Sequence, residues 1–251
     1  MQFRISAILL LNIFLSVATG YCEGTWTPIK FVINHTTMWP KSPTVYGLSL
    51  NYFNNGYYPD DIEEVNGIQF GIRNITGGPI RGIQLALLDN GSHEIYGIQA
   101  SPFRNSIATE SNGFIIGGIN FINRHKGIQI AWLFNYLEDS GVLIQAAPGN
   151  VAHDKLTGLQ LGLFNDARGE LHGLQLGIVN IAAGDSGAKG LQGGIVNITG
   201  SGNYDVISFR GLQIGLVNIC KNTLKGMQLG FINIARRKQF LPITFGVNWG
   251  F

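Results

Sequence analysis

Five histidines, two cysteines and one run of carboxylates are the residues of this 251-residue chain whose types could do chemistry. His35, His93, His125, His153 and His172 lie far apart, without the close spacing in sequence that zinc ligands show. His172 stands where sister segments carry Arg210 and Lys225, so it reads as a basic rim residue and not as a catalyst. Asp60, Asp61, Glu63 and Glu64 offer the oxygen ligands a divalent cation takes, but they lack the spacing of a calcium loop and read as a solvated loop. Cys22 and Cys220 could pair in an oxidising compartment. Cys220, however, falls where sister segments carry Ala182 and Ala235, and reads as a small residue tolerated there. No nucleophile elbow, phosphate loop or pair of thiolates appears. The expectation is a protein that is not an enzyme and that carries no metal and no cofactor.

The elements around these residues are repetitive. "HGLQLGIVN" at 172–180 returns as "RGLQIGLVN" at 210–218 and "KGMQLGFIN" at 225–233. With the leading glycine as position one, units begin at Gly47, Gly67, Gly82, Gly97, Gly113, Gly127, Gly141, Gly158, Gly173, Gly190, Gly211 and Gly226. Position three is Gln in nine of these twelve: Gln69, Gln84, Gln99, Gln129, Gln160, Gln175, Gln192, Gln213 and Gln228. Position eight is usually Asn, as in Asn54, Asn74, Asn120, Asn165, Asn180, Asn197, Asn218 and Asn233. The unit at Gly141 keeps its glycine and little else. Charged residues make up 13% and glycine 35 of 251 residues, a poor fit to an ordinary soluble enzyme. A net charge of +2 is too small to argue for nucleic acid.

Leu174, Leu176 and Ile178 alternate with Gln175, Gly177 and Val179, a period of two that signals strands. "TGGP" at 76–79, "DNGS" at 89–92 and "KNT" at 221–223 read as turns between them. With an opening strand at 28–34 and a closing one at 242–251, the count reaches fourteen, an even number. The fold expected is all-β: an antiparallel up-and-down transmembrane barrel of about 14 strands, leucines toward lipid, and the nine glutamines with Arg73 lining the lumen. The alternative is a β-solenoid of ~15-residue coils, with leucine in the core and asparagine stacked as a ladder. The two differ at the residue before each leading glycine, position zero, held by Arg81, Lys126, His172, Lys189, Arg210 and Lys225. A barrel sends Lys189 and Arg210 to opposite rims, whereas a solenoid stacks them. Opposite rims are expected, because stacked cations repel.

Residues 1–20 show a basic n-region, an apolar stretch and small residues, the pattern of a signal peptide, leaving 21–251 as a single repeat-built domain. At the other end, Gly246, Trp249 and Phe251 resemble the C-terminal recognition strand of bacterial outer-membrane barrels, a candidate assembly signal. The repeat region, about residues 45–251, resembles bacterial surface repeat proteins built from G-[LI]-Q-[LI]-G-x-x-N units. The resemblance implies export to the outer membrane or cell surface and no activity. The expected partners are the lipid bilayer, the barrel-assembly machinery and an unnamed surface ligand, with no nucleic acid. The function expected is an outer-membrane barrel, a passive pore or structural surface protein. The alternative is a surface-exposed repeat scaffold for protein interaction or adhesion.

Overall fold

The computed structural model describes residues 26–34, 37–39, 44–53, 64–184, 187–200, 208–221, 223–236 and 242–250. The signal-like segment 1–20, Cys22, His35, Asn54, Asp60, Asp61, Glu63 and Phe251 lie outside the described residues. The chain divides into two compact units, Met1–Pro102 and Phe103–Phe251.

In the first unit, β1 (Trp26–Asn34) pairs antiparallel with the short β2 (Thr37–Trp39). It also pairs in parallel with β3 (Thr44–Phe53), which pairs in parallel with the start of β4 (Glu64–Leu137), Gly47 opposite Gly67 and Ser49 opposite Gln69. The path of β4 turns corners without leaving extended geometry, so its own coils stack: Gln84 donates to Gln69 at 2.7 Å, fifteen residues back. "TGGP" and "DNGS" are therefore not hairpin turns. Thr76 and Asn90 point inward and are buried.

The second unit takes β4 from Phe103 onward, then β5 (Ser140–Ala146), β6 (Gly149–Ala152), β7 (Lys155–Leu161), β8 (Phe164–Ala167), β9 (Glu170–Leu176), β10 (Val179–Ala182), β11 (Ala188–Gly193) and β12 (Val196–Thr199). Each coil has a longer strand, a corner at positions five and six, and a four-residue strand. The longer strands β5, β7, β9 and β11 stack in parallel, and so do the shorter β6, β8, β10 and β12. β13 (Ser208–Cys220) and β14 (Thr223–Ala235) run through both parts of a coil and pair in parallel. β15 (Ile243–Gly250) pairs antiparallel with β14 and ends the stack.

Each unit is thus a parallel β-solenoid, and the antiparallel barrel of about 14 strands is overturned. The register shows the physical reason. Gly173 pairs with Gly190, Gln175 with Gln192 and Asn180 with Asn197. A primary amide carries both a donor and an acceptor, so a column of identical amides in parallel register satisfies itself coil after coil. Antiparallel pairing would set glutamine against glycine and leave buried amides unpartnered.

The solenoid turns its side chains the opposite way from the expectation that leucine fills the core. Inward positions are minus one, one, three, eight and ten; Leu174, Leu176 and Ile178 lie outside. Every described position-three glutamine is fully buried, while Leu176 is 39% and Ile178 45% exposed. The coil is too narrow to admit leucine at each inward site. At Gly190, φ is 140° and an added Cβ would strike the carbonyl oxygen of Gly173 in the coil before. At position five, a Cβ on Gly177 would lie 2.7 Å from the Asn165 amide nitrogen. The repeated Gly, Gln, Gly and Asn are therefore the lining, and the apolar core shrinks to two columns. One is position minus one, with Leu156, Leu171, Ala188, Phe209 and Leu224; the other is position ten, with Ala152, Ala167, Ala182, Cys220 and Ala235.

One unit boundary also moves. Gly127 pairs with Leu143, and His125 with Gly141, so the degenerate unit starts at Leu143, with Gly141 at position minus one. Glycine and leucine have exchanged places there. A Cβ on Gly141 would meet Leu143 and Leu137 side chains, which fill the space its own side chain would take.

Candidate functional site

Two surfaces compete for a functional role, the amide-lined interior and the apolar exterior. Inside the second unit, Gln145 donates to Gln129 at 2.9 Å, Gln160 to Gln145 at 2.8 Å, and Gln175, Gln192, Gln213 and Gln228 each to the preceding glutamine at 2.7 Å. The asparagines run the other way, each donating to the coil that follows: Asn165 to Asn180 at 2.8 Å, Asn180 to Asn197 at 2.9 Å, Asn218 to Asn233 at 2.8 Å. β15 closes both columns, Asn248 donating to Gln228 at 2.8 Å and Asn233 to the Gly246 carbonyl at 3.0 Å. In the first unit Gln99 donates to Gln84 and Gln84 to Gln69, and Asn51 to Asn74 at 2.8 Å.

These glutamines, proposed as lumen lining, lie together on the inner face. They line a packed amide column, where most of their polar atoms are taken by one another. Arg73 is not with them: it lies at the surface, 3.4 Å from Asp89. Trp249 is 57% exposed on β15, and Gly246 has φ of 79°. Gln145 and the asparagines Asn51, Asn90, Asn105, Asn135 and Asn150 also line the interior and were missed. Gln145 and Asn150 were hidden because Leu143 replaces the leading glycine of their unit, and Asn90, Asn105 and Asn135 because they fall at position nine of theirs. The fifteen-residue spacing of Gln145 from Gln160 would have revealed Gln145.

Inside the second unit the glutamine column is interrupted at one place among the described residues. Ile115 takes position three in the unit of Gly113 and is fully buried, and Gln129, one coil on, keeps an amide nitrogen with no partner. Nearby, the position-minus-one column carries Ser111, His125 and Gly141 instead of aliphatic residues. Ser111 Oγ donates to the Arg124 carbonyl at 3.3 Å and lies 2.6 Å from His125 Nδ1, an arrangement that fits Nδ1–H donating to the hydroxyl. His125 is 1% exposed. Burial, outweighing the opposing pull of backbone hydrogen bonding, lowers its pKa to about 4, so it is neutral at pH 7.

Outside this point lies a cleft of about 280 Å³ bordered by Arg124, Lys126 and Lys155. Each cation already faces an acid: Lys126–Glu110 at 3.6 Å, Lys155–Glu170 at 2.9 Å and Arg124–Asp139 at 4.0 Å. The Lys155 hydrogen bond is the chief cause holding the Glu170 carboxyl below its ordinary range. Of the acidic run, Glu64 is described, and it pairs with Arg81. Among the described residues no group of His, Cys, Asp and Glu could hold a metal ion.

The exterior is the more unusual surface. Along position four run Ile130, Leu176 and Ile214; along position six run Trp132, Leu163, Ile178, Ile195, Leu216 and Phe231. All are at least 39% exposed, and Phe231 reaches 69%. Position zero forms a row parallel to them: Lys189 pairs with His172 on one side and Arg210 on the other, and Arg210 pairs with Lys225. The expectation of opposite rims is overturned, because parallel stacking repeats the same side chain at the same height. Comparison with protein-family models, with curated proteins and with solved structures finds no match.

Proposed function

We propose that the protein is a non-catalytic repeat scaffold, exported to the cell surface or outer membrane, whose outer face docks it against a partner surface. The observation that carries this reading is the inversion of the solenoid. Amides fill the inside, and leucine, isoleucine and phenylalanine columns stand outside at a repeat of ~4.8 Å. Monomeric soluble proteins rarely expose contiguous apolar areas beyond a few hundred Å², and larger ones mark interaction surfaces. A rigid ladder presents such columns at fixed spacing, which suits a docking scaffold better than a catalyst. The signal-like residues 1–20 support export. The solenoid offers no support for a pore, since its interior is occupied by amides.

The test is association. The chain beginning after residue 20 should need detergent, lipid or a partner to stay monodisperse. Changing Ile178, Ile195, Leu216 and Phe231 to Ser should remove that need while leaving the β circular-dichroism signal intact. A wild-type chain that stays monodisperse in plain buffer at high concentration would sink the docking role.

A further inference from the structure

We infer that the outer face between Lys189 and Trp249 is built to lie on an anionic lipid surface, its cation row taking phosphorylated headgroups and its apolar columns entering the acyl boundary. The inference rests on the docking role proposed above and names the occupant. Three observations lead to it.

The first is the cation row itself. Lys189, Arg210 and Lys225 are exposed and stack in adjacent strands, which places their Cα atoms about 5 Å apart. Like charges at such spacing repel. No salt bridge ties any of the three to an acid among the described residues, although Lys189 adds to the field that lowers the Glu170 pKa, whereas Lys126 and Lys155 each have an acid at hand. A row of stacked, exposed cations is a binding element for several anions at once.

The second is its neighbourhood. On the same outer face, one step along each strand beyond the row, come Leu191, Leu212 and Met227 at position two, then Ile214 and Leu229 at position four, then Ile195, Leu216 and Phe231 at position six. β15 extends the same face: Trp249 pairs with Met227 and Val247 with Leu229. Phe245 is 72% exposed and packs edge-on to Phe231 with ring centroids 6.0 Å apart. Charge at one margin, hydrocarbon across the middle and an indole beside them is the order in which a membrane interface presents phosphate, acyl chain and headgroup boundary.

The third concerns the rival occupants. A second copy of this chain could cover the apolar columns, but the same face of that copy offers the cations no acidic row among its described residues. Among the described residues of 170–250 the one acidic side chain is Glu170, already bonded to Lys155 and His172. A lipid surface supplies anion and hydrocarbon together and over any number of coils.

The experiment is co-sedimentation of the chain from residue 21 onward with vesicles of phosphatidylcholine alone, or with one-third phosphatidylglycerol. Alongside it runs the variant Lys189→Gln/Arg210→Gln/Lys225→Gln, whose changes are all at exposed sites. The wild-type chain should prefer the anionic vesicles, and raised salt should weaken that preference. The triple variant should bind them roughly one hundredfold more weakly, from about a fivefold contribution per cation. Brominated acyl chains should quench Trp249 in a protein whose other tryptophans are Phe. Equal binding to both vesicles, unchanged in the triple variant, would overturn the role of the cation row and leave apolar docking standing. Self-association without vesicle binding would overturn the lipid occupant in favour of a second copy. A monodisperse chain that ignores both vesicles would overturn this inference and the docking role together.

Discussion

Two stretches of the second unit use the same coil differently. From Leu156 to Ala235 the described inward positions follow one rule: apolar at minus one, glycine at one, glutamine at three, asparagine at eight. From Ser111 to Ala146 the rule is broken in three ways, at five inward residues. Ile115 interrupts the glutamine column, Ser111–His125 replaces an aliphatic pair, and Gly141 and Leu143 trade places. The asparagine column nonetheless runs unbroken through both, Asn120 donating to Asn135 at 2.9 Å and Asn135 to Asn150 at 3.0 Å. The difference teaches that one continuous amide ladder with the backbone hydrogen bonds is enough to carry the coil. The second column can be broken where local packing compensates.

The largest expected effect comes from forcing the exchanged arrangement onto the regular stretch. Gly190→Leu puts a side chain at φ of 140° against the Gly173 carbonyl. It should cost about 4 kcal/mol or more by urea unfolding, combining backbone strain with overpacking. The paired change Gly141→Leu/Leu143→Gly, which restores the regular order, should stay within about 1.5 kcal/mol of wild type, as volume-conserving swaps do. If both variants unfold alike, the exchange is not compensated as described.

Next comes the glutamine column. Gln175→Leu strips partners from Gln160 and Gln192 and should cost about 3 kcal/mol, the penalty of leaving buried amide groups unpaired. Ile115→Gln runs the opposite way, offering an acceptor to Gln129. The gained hydrogen bond and the lost apolar burial are of similar size, so the midpoint should shift by about 1 kcal/mol or less. A large loss at Ile115→Gln would show that the interruption is required.

The histidine gives a pH signature to the irregular stretch alone. Its folded pKa of about 4 lies below the unfolded 6.5. Above pH 6.5 neither state takes the proton. Between 6.5 and 4 only the unfolded chain does, so stability falls as pH drops through that window and levels off below it. The loss is about 3 kcal/mol at most. His125→Leu should flatten that part of the stability–pH curve, and an unchanged curve would remove His125 as its source. The smallest effect is expected at Lys189→Gln, which should leave the unfolding midpoint within about 0.5 kcal/mol, as surface changes do.

The all-β class, the strand period, the coil length and the opening and closing strands were legible in the sequence, because they follow from spacing along one chain. Parallel against antiparallel was not. Leu-Gln-Leu-Gly-Ile at 174–178 reads nearly the same in either direction about Leu176, so local pattern fits both pairings. What separated them was an interaction between coils, Gln175 with Gln192 and Asn180 with Asn197, which no single unit contains.

The facing of the leucines was decided at the same level. By itself the sequence determined that two sets of side chains alternate, one apolar and one of amides and glycines. Hydrophobicity alone puts the apolar set inside, and that was the expectation for the solenoid. Only the tertiary structure decided otherwise, for a physical reason: the coil is narrow enough that position one is glycine in every described unit but that of Leu143 and position five stays small in the regular coils, and its amides satisfy one another in register. Burial of Gln175 and Asn180 is therefore tolerated, and Leu176, Ile178 and their sisters are left to face outward.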